Sequence, residues 1–311
     1  MVAIIKQLAA KYRTSNTTKY TASLMLSSVG FYLLVYQKGH KKPVYASQHI
    51  LQDKHNWQLE LNQLLQNEFL KQSTLNIILP HEHYQLLVVD RPEVNEEELA
   101  QAIRYSAKDY LNTTLEEVAI DYFDIPIQIF GQNKVNLVAA RLKFLQPLIK
   151  VCLENCQKIH RITVSELAYQ DLFAGDQDAS MLIIHQPNEE LLIQIVKNGQ
   201  LYFFRRIRGY SKLNEYTEFE INQGAVDSLS IEIQRSLDYF ESQLRQASVK
   251  RIYISVNSHL ESVLIDKIGE NFTMPVLPLK NRVADLLPEK TENDHGYYPA
   301  VGAAQELIRE Q

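Results

Sequence analysis

The chain has 311 residues, of which 45% are hydrophobic and 22% charged, with a formal net charge of −5. That is enough apolar material for one large core or two lobes, and the acidic balance excludes a nucleic-acid scaffold, which would carry a basic footprint. The two cysteines, Cys152 and Cys156, stand four apart in a segment of helical period. They share a face but are badly placed for a disulfide, and no further Cys or His at ligand spacing joins them, so they read as buried thiols of a reducing compartment.

In chain order, residues 1–20 stand apart. Ile4, Ile5, Leu8 and Ala9 beside Lys6, Lys11 and Arg13 form a short amphipathic stretch, read either as a frayed N-terminal helix or as a segment lying on a membrane or partner. The stretch holds no signal-peptide core, and the apolar run 24–36, broken by Ser27, Ser28 and Gly30, is too short to span a bilayer. A cytoplasmic location is expected, at a membrane only through partners. Residues 23–36 and 43–50, joined by turn chemistry at Gln37, Gly39 and His40, predict a β-meander. Residues 57–70 place Trp57, Leu61, Leu64, Leu65 and Phe69 at helical spacing. Two strands, 74–79 and 84–90, flank a turn over 80–83. After Arg91 and Pro92, Asn95 predicts an N-cap, with Glu96, Glu97 and Glu98 in the first turn of a helix through Leu99, Ile103 and Ala107. Residues 117–123 and 135–140 predict strands, the second running into a helix through Phe144, Leu148 and Cys152.

The second half repeats the plan. Residues 179–185, 191–197 and 200–206 predict a three-stranded meander with turns at Pro187–Asn188 and Asn198–Gly199. A long helix over 225–245 presents Leu229, Ile233, Leu237 and Phe240 on one face. A strand at 251–255, a helix at 258–268, a strand at 274–279 and a terminal helix at 299–308 follow. Two lobes, 21–175 and 176–311, each a meander followed by alternating helices and strands, predict an α/β protein made by duplicating a ribonuclease-H-like unit.

Several stretches then carry a family likeness. They are Leu79 and Pro80; Val88, Asp90, Arg91, Pro92, Glu93 and Val94; the run from Glu98 to Arg104; and the run from Val118 to Tyr122. Later come Asn198 and Gly199, Phe204 to Ile207, Ile231 to Phe240, and Pro299 to Ala304. In this order they resemble the PilM-like proteins of type IV pilus assembly, and the likeness covers nearly the whole chain. The resemblance implies a two-lobed actin-like ATPase fold. It also implies a groove in the first lobe, among residues 76–140, that receives the short cytoplasmic tail of an inner-membrane partner resembling PilN. The assembly ATPase or other platform proteins are further expected partners. Peptide capture beside a strand draws on main-chain hydrogen bonds and side-chain pockets. Tyr84, Leu86, Tyr122 and Phe123 are the candidate pocket residues, and Arg104 and Lys108, one helical turn apart, the candidate cations for an acidic ligand. Core packing for the first four and plain solvation for the two cations are the alternatives.

The resemblance also raises nucleotide chemistry. Actin-like ATPases hold phosphates in strand–turn–strand hairpins whose glycines let backbone amides approach, with acidic residues acting through metal and water. Here the matching first stretch, residues 22–28, has neither Asp nor Gly; the second reads His185 to Glu190 with Pro187 and no glycine; and Val256, Asn257 and Ser258 replace a paired glycine after the strand at 251–255. The expectation is a degenerate ATPase without cofactor, metal or catalytic residues, as in secretion-platform proteins of the GspL type. An ATP-binding protein using Mg-ATP to control partner affinity, and a sugar or acetate kinase-like enzyme, are the competing readings. Other chemistry is thinner. His81 and His83 flank Glu82 at a spacing that on a strand would suit a metal, against an exposed turn after Pro80. Asp121 and Asp124 fall on opposite faces of a strand, which argues against an acid–base pair. Ser165 and Glu166 complete no triad. Arg205, Arg206 and Arg208 suit an anionic lipid or an acidic partner, against an alternately exposed strand end.

Overall fold

A computed structural model of the chain describes residues 18–288, 291 and 295–309; the amphipathic stretch at 4–12 lies outside them. The chain divides into two compact units, Met1–Ala168 with Pro299–Gln311, and Tyr169–Tyr298.

In the first unit β1 (Tyr20–Leu26), β2 (Gly30–Gln37) and β3 (Tyr45–Ile50) form the antiparallel meander. The run 23–36 is thus two strands, not one, because Ser27 to Val29 turn the chain back on itself. Helix α1 (Trp57–Leu65) leads to β4 (Ser73–Leu79), which pairs parallel with β1, and β8 (Lys158–Val164) pairs parallel with β4. The sheet order is β3-β2-β1-β4-β8. Every residue of β1 and β4 is buried, as central strands covered on both faces require, including the polar Thr21, Ser23, Ser73, Thr74 and Asn76.

Between β4 and β8 the chain inserts a second layer. It comprises β5 (Tyr84–Asp90), α2 (Glu96–Ser106), β6 (Val118–Asp124) and β7 (Lys134–Arg141), after which α3 (Leu142–Asn155) returns to the main sheet. The three strands form an antiparallel sheet in the order β5-β7-β6. Strand alternation sends Val89, Val118, Val135, Leu137 and Ala139 to one face, and helical spacing sends Leu99, Ile103 and Ala107 to meet them.

Helix α4 (Ser165–Asp171) carries the chain into the second unit. There β9 (Ser180–His185), β10 (Leu191–Lys197) and β11 (Gln200–Ile207) form a meander. Asn198 and Gly199, both at positive φ, make the turn between the last two. Helix α5 (Asp227–Asp238), β12 (Arg251–Val256), α6 (Glu261–Gly269) and β13 (Val276–Pro278) complete it, in the sheet order β11-β10-β9-β12-β13. Both five-stranded sheets therefore set three antiparallel strands beside two parallel ones, in the same spatial order.

Three expectations change in detail. The helix at 57–70 ends at Leu65, and a 3-10 turn follows at Leu70–Gln72. The long helix over 225–245 is α5 extended by a π turn at Tyr239–Gln243, entered through another whose Gly224 has φ +91°. Helix α7 (Tyr298–Arg309), from Pro299 on, belongs to the first unit rather than the second. Asn76 on β4 donates its amide to the Ala303 carbonyl at 2.6 Å, and Arg161 on β8 pairs with Glu306 at 3.0 Å.

Candidate functional site

The three turns that the family resemblance links to nucleotide already have hydrogen-bond partners for part of their backbone amides. At the β1–β2 turn the Ser27 hydroxyl accepts from the amides of Val29 and Gly30, at 3.3 and 3.1 Å, and donates to the Gly30 carbonyl at 3.0 Å. Gly30 is a glycine just past the stretch in which none was expected, and it serves packing. A Cβ there would meet the His49 carbonyl oxygen at 2.4 Å. At the β9–β10 turn the Glu189 amide donates to Gln186 O at 3.1 Å, and the Gln186 side-chain amide donates to the Tyr169 hydroxyl at 2.9 Å. Its two carboxylates face arginines, Glu189 with Arg206 at 3.2 Å and Glu190 with Arg208 at 3.0 Å. Arg205 pairs with Glu232 at 2.8 Å. The three arginines read as an anion grip thus all hold carboxylates of their own unit.

After β12 the Val256 amide donates to the Glu261 carboxylate at 2.9 Å, and the Ser258 amide to Val256 O at 2.7 Å. Beside this turn lies a cavity of about 630 Å³ lined by Asn257, Ser258, Glu261, Asp266, Lys280 and His295 among others. His295 Nδ1 is 2.8 Å from Ser255 Oγ and 3.7 Å from Glu261 Oε1. Burial pushes the Glu261 carboxyl up, and the bond from the Val256 amide and the charge of Lys280 offset part of that. Burial pushes His295 down to about 4, aided by Lys280 and His185. Both groups are driven toward their neutral forms.

The residues predicted to line a groove do not share one surface. Tyr84 is 4% exposed, and its hydroxyl donates to Glu166 at 2.6 Å and lies 3.0 Å from Ser165 Oγ. It is packed in the core, the alternative that the sequence offered to a place in a pocket wall. Leu86 and Phe123 point, by strand alternation, to the sheet face opposite α2, while Tyr122 packs with the apolar cluster under α2. Arg104 is spent on its own loop, donating to Leu115 O at 2.7 Å. Lys108 stands exposed beyond α2, in the 3-10 turn Ala107–Tyr110. Asp124 pairs with Arg91 at 2.6 Å. The segment His81–His83 is a 3-10 turn whose imidazoles are half-buried, not exposed, and go separate ways. His81 meets Tyr84 edge-on, and His83 stacks on Phe144 at 3.6 Å between ring centres.

That stack forms one wall of a cavity of about 210 Å³ in the first unit, lined by Leu26, Phe31, Trp57, Pro80, His83 and Phe144 among others. Six segments build it: the end of β1, the start of β2, the β3–α1 connection with Leu51 and Lys54, the first turn of α1, the β4–β5 turn and the first turn of α3. Trp57 and Phe144 lie 4.8 Å apart, and burial holds His83 below its ordinary value, Glu82 opposing in part. Lys54 and Glu82 stand at the rim. Trp57 and Phe144 read in sequence as core positions of helices. The signal that marks them is their place in the first turn, where a helix end faces loops instead of the core.

Among the described residues no three Cys, His, Asp or Glu side chains gather in a way that could hold a metal, and no helix is long and apolar enough to cross a membrane. Cys152 and Cys156 are buried free thiols, the latter pushed up to about 12 by burial.

No protein-family model matches the chain, and no curated protein matches it by sequence. Solved structures do match. The chain is similar to one in a PilM–PilN type IV pilus biogenesis complex at 13% identity and a TM-score of 0.72, covering 94% of this chain and 99% of that one. It is also similar to a Bacteroides thetaiotaomicron protein described as having an actin-like ATPase fold, at 13% identity and a TM-score of 0.53, over 84% and 91% of the two chains. The cytoplasmic domain of EpsL, an inner-membrane component of the Vibrio cholerae type II secretion system, matches at 13% identity over 76% and 81%, with a TM-score of 0.47 too loose to support an inference. Strand order and these two closer likenesses agree: the fold is the actin-like ATPase fold.

Proposed function

We propose that this protein is a non-catalytic adaptor of a type IV pilus assembly platform, holding the cytoplasmic tail of an inner-membrane partner resembling PilN in the aromatic pocket of its first unit. The observation that carries this reading is that pocket. At about 210 Å³ it is below the roughly 300–1,000 Å³ of sites that enclose a small-molecule ligand, and it suits one apolar side chain of a peptide. Its β4–β5 turn falls within the segment, 76–140, where the family resemblance places the tail. The likeness to a chain of a PilM–PilN complex supports the same partner class. The quoted stretches further resemble MshI, the PilM-like protein of mannose-sensitive haemagglutinin (MSHA) pilus biogenesis, and we assign the chain to that system. It would then work in the cytoplasm, drawn to the inner membrane by its partner, with the assembly ATPase or other platform proteins as further contacts.

A degenerate ATPase is part of the proposal. Ser27 occupies amides that a phosphate would need, Pro187 removes an amide from the second turn, and Arg206 and Arg208 there are already paired with Glu189 and Glu190. The competing reading, an actin-like protein regulated by ATP, has one observation in its favour, the cavity of about 630 Å³ beside the third turn.

The test is capture by immobilised tails of the membrane proteins of pilus assembly. Removing the Trp57 ring takes away much of the apolar contact, so Trp57→Ala should weaken capture at least about tenfold, equivalent to about 1.4 kcal/mol. Equal capture by wild type and Trp57→Ala would remove the pocket from the proposal.

A further inference from the structure

We propose that Phe130 of one copy enters the aromatic pocket of a second copy, so that the protein self-associates head to tail. Phe130 is 98% exposed, the most exposed large apolar side chain among the described residues. It stands on the β6–β7 connection, where residues 125–133 carry no charge and Ile125, Pro126, Ile127 and Ile129 make the surroundings apolar. The hairpin is braced. Gln128 donates to Lys134 O at 2.7 Å and accepts from the Lys134 amide at 3.0 Å, and the Gln132 amide donates to Ile129 O at 2.9 Å. A braced apolar tip loses little freedom on insertion and desolvates no charge.

The pocket holds about one side chain and is walled by Trp57, His83 and Phe144. Strand β7 lies between the two features in the sequence. Phe130 comes four residues before it and Phe144 three residues after it, and its eight residues span about 24 Å at roughly 3.4 Å each. Tip and pocket lie at opposite ends of one rigid strand, which excludes insertion within a chain and requires a second copy. Because the two surfaces differ, the contact is heterologous and propagates into open chains or rings.

Charge favours this guest over a lipid surface. The hairpin base carries Asp90, Asp124 and Glu96 against Lys134 and Arg91, an excess of negative charge that an anionic bilayer repels. At the pocket rim stands Lys54, exposed and without an ion pair among the described residues, beside Glu82. The inference rests on the reading that the pocket accepts an apolar side chain from another polypeptide; tail and hairpin then compete for it.

Trp57 is the single tryptophan of the chain, so its emission reports occupancy of the pocket. The F130S variant keeps the pocket and its tryptophan; the W57F variant keeps the hairpin and is silent. Titrating W57F into F130S should move the emission to the blue and saturate. The silent double variant F130S/W57F, which lacks the tip, should leave the emission unmoved. In sedimentation the wild type should gain mass with concentration and F130S should not. No shift on adding W57F, an equal shift with the double variant, or equal sedimentation of wild type and F130S would each overturn the proposal. Titrating a tail peptide into F130S reads the pocket separately, so loss of self-association and loss of tail binding are distinguished.

Discussion

Three histidines of this chain lie where protonation is opposed: His83 against Phe144, His185 at the end of β9, and His295 behind Ser255. Burial lowers all three from the ordinary 6.5. Between the folded and unfolded values the unfolded chain binds more protons, so stability falls as pH falls. For His295 the loss begins below about 6.5 and is complete below about 4, worth on the order of 3 kcal/mol. Denaturation by urea at pH 7.5 and pH 5 should show this loss, and His295→Gln should reduce it. An equal drop in wild type and variant would refute the assignment. None of this was visible in the sequence, where the histidines are scattered. The pKa of a side chain depends on who surrounds it, and His295 owes its surroundings to Ser255, Glu261 and Lys280, all distant along the chain from one another or from it.

At the scale of elements, local rules carried far. The apolar runs of β9, β10 and β11, the Asn198–Gly199 turn and the acidic start of α2 were all legible, because each is decided within a few residues. The β1–β2 hairpin was not, since Ser27 and Ser28 give only the weaker, hydroxyl-based turn signal, without Pro, Asn or Asp, and the turn is closed by that hydroxyl. Strand β8 was also missed. His160 and Arg161 interrupt its apolar pattern, and Arg161 is tolerated there because Glu306 of a remote helix pairs with it. Gly30 bears on the same hairpin. Gly30→Ala puts a Cβ 2.4 Å from the His49 carbonyl oxygen, so β2 and β3 must part locally, at a cost of about 1–3 kcal/mol. Denaturant titration should show that loss with an unchanged slope; wild-type stability in the variant would mean that β3 yields freely.

For the molecule as a whole, the repeated strand order was legible as a repeated order of elements, and the fold followed from it. The proposal on nucleotide belongs to this scale too, since phosphate binding needs several loops to offer amides at once. Here Ser27 has taken up two amides of the first turn, and the second carries Pro187, which has no amide donor, and no glycine. Calorimetry with Mg-ATP should give no binding heat at micromolar to millimolar nucleotide; a micromolar dissociation constant would favour the regulated reading. The sequence by itself determined the α/β class, the duplicated order and the faces of most helices and strands, because hydrophobic period and turn chemistry act between near neighbours. Only the tertiary structure decided that Tyr84 is core, that Leu86 and Tyr122 face opposite ways, and that Trp57, His83 and Phe144 enclose a pocket. Those are contacts among segments far apart in sequence, and period alone says which face of an element is apolar, not what it meets.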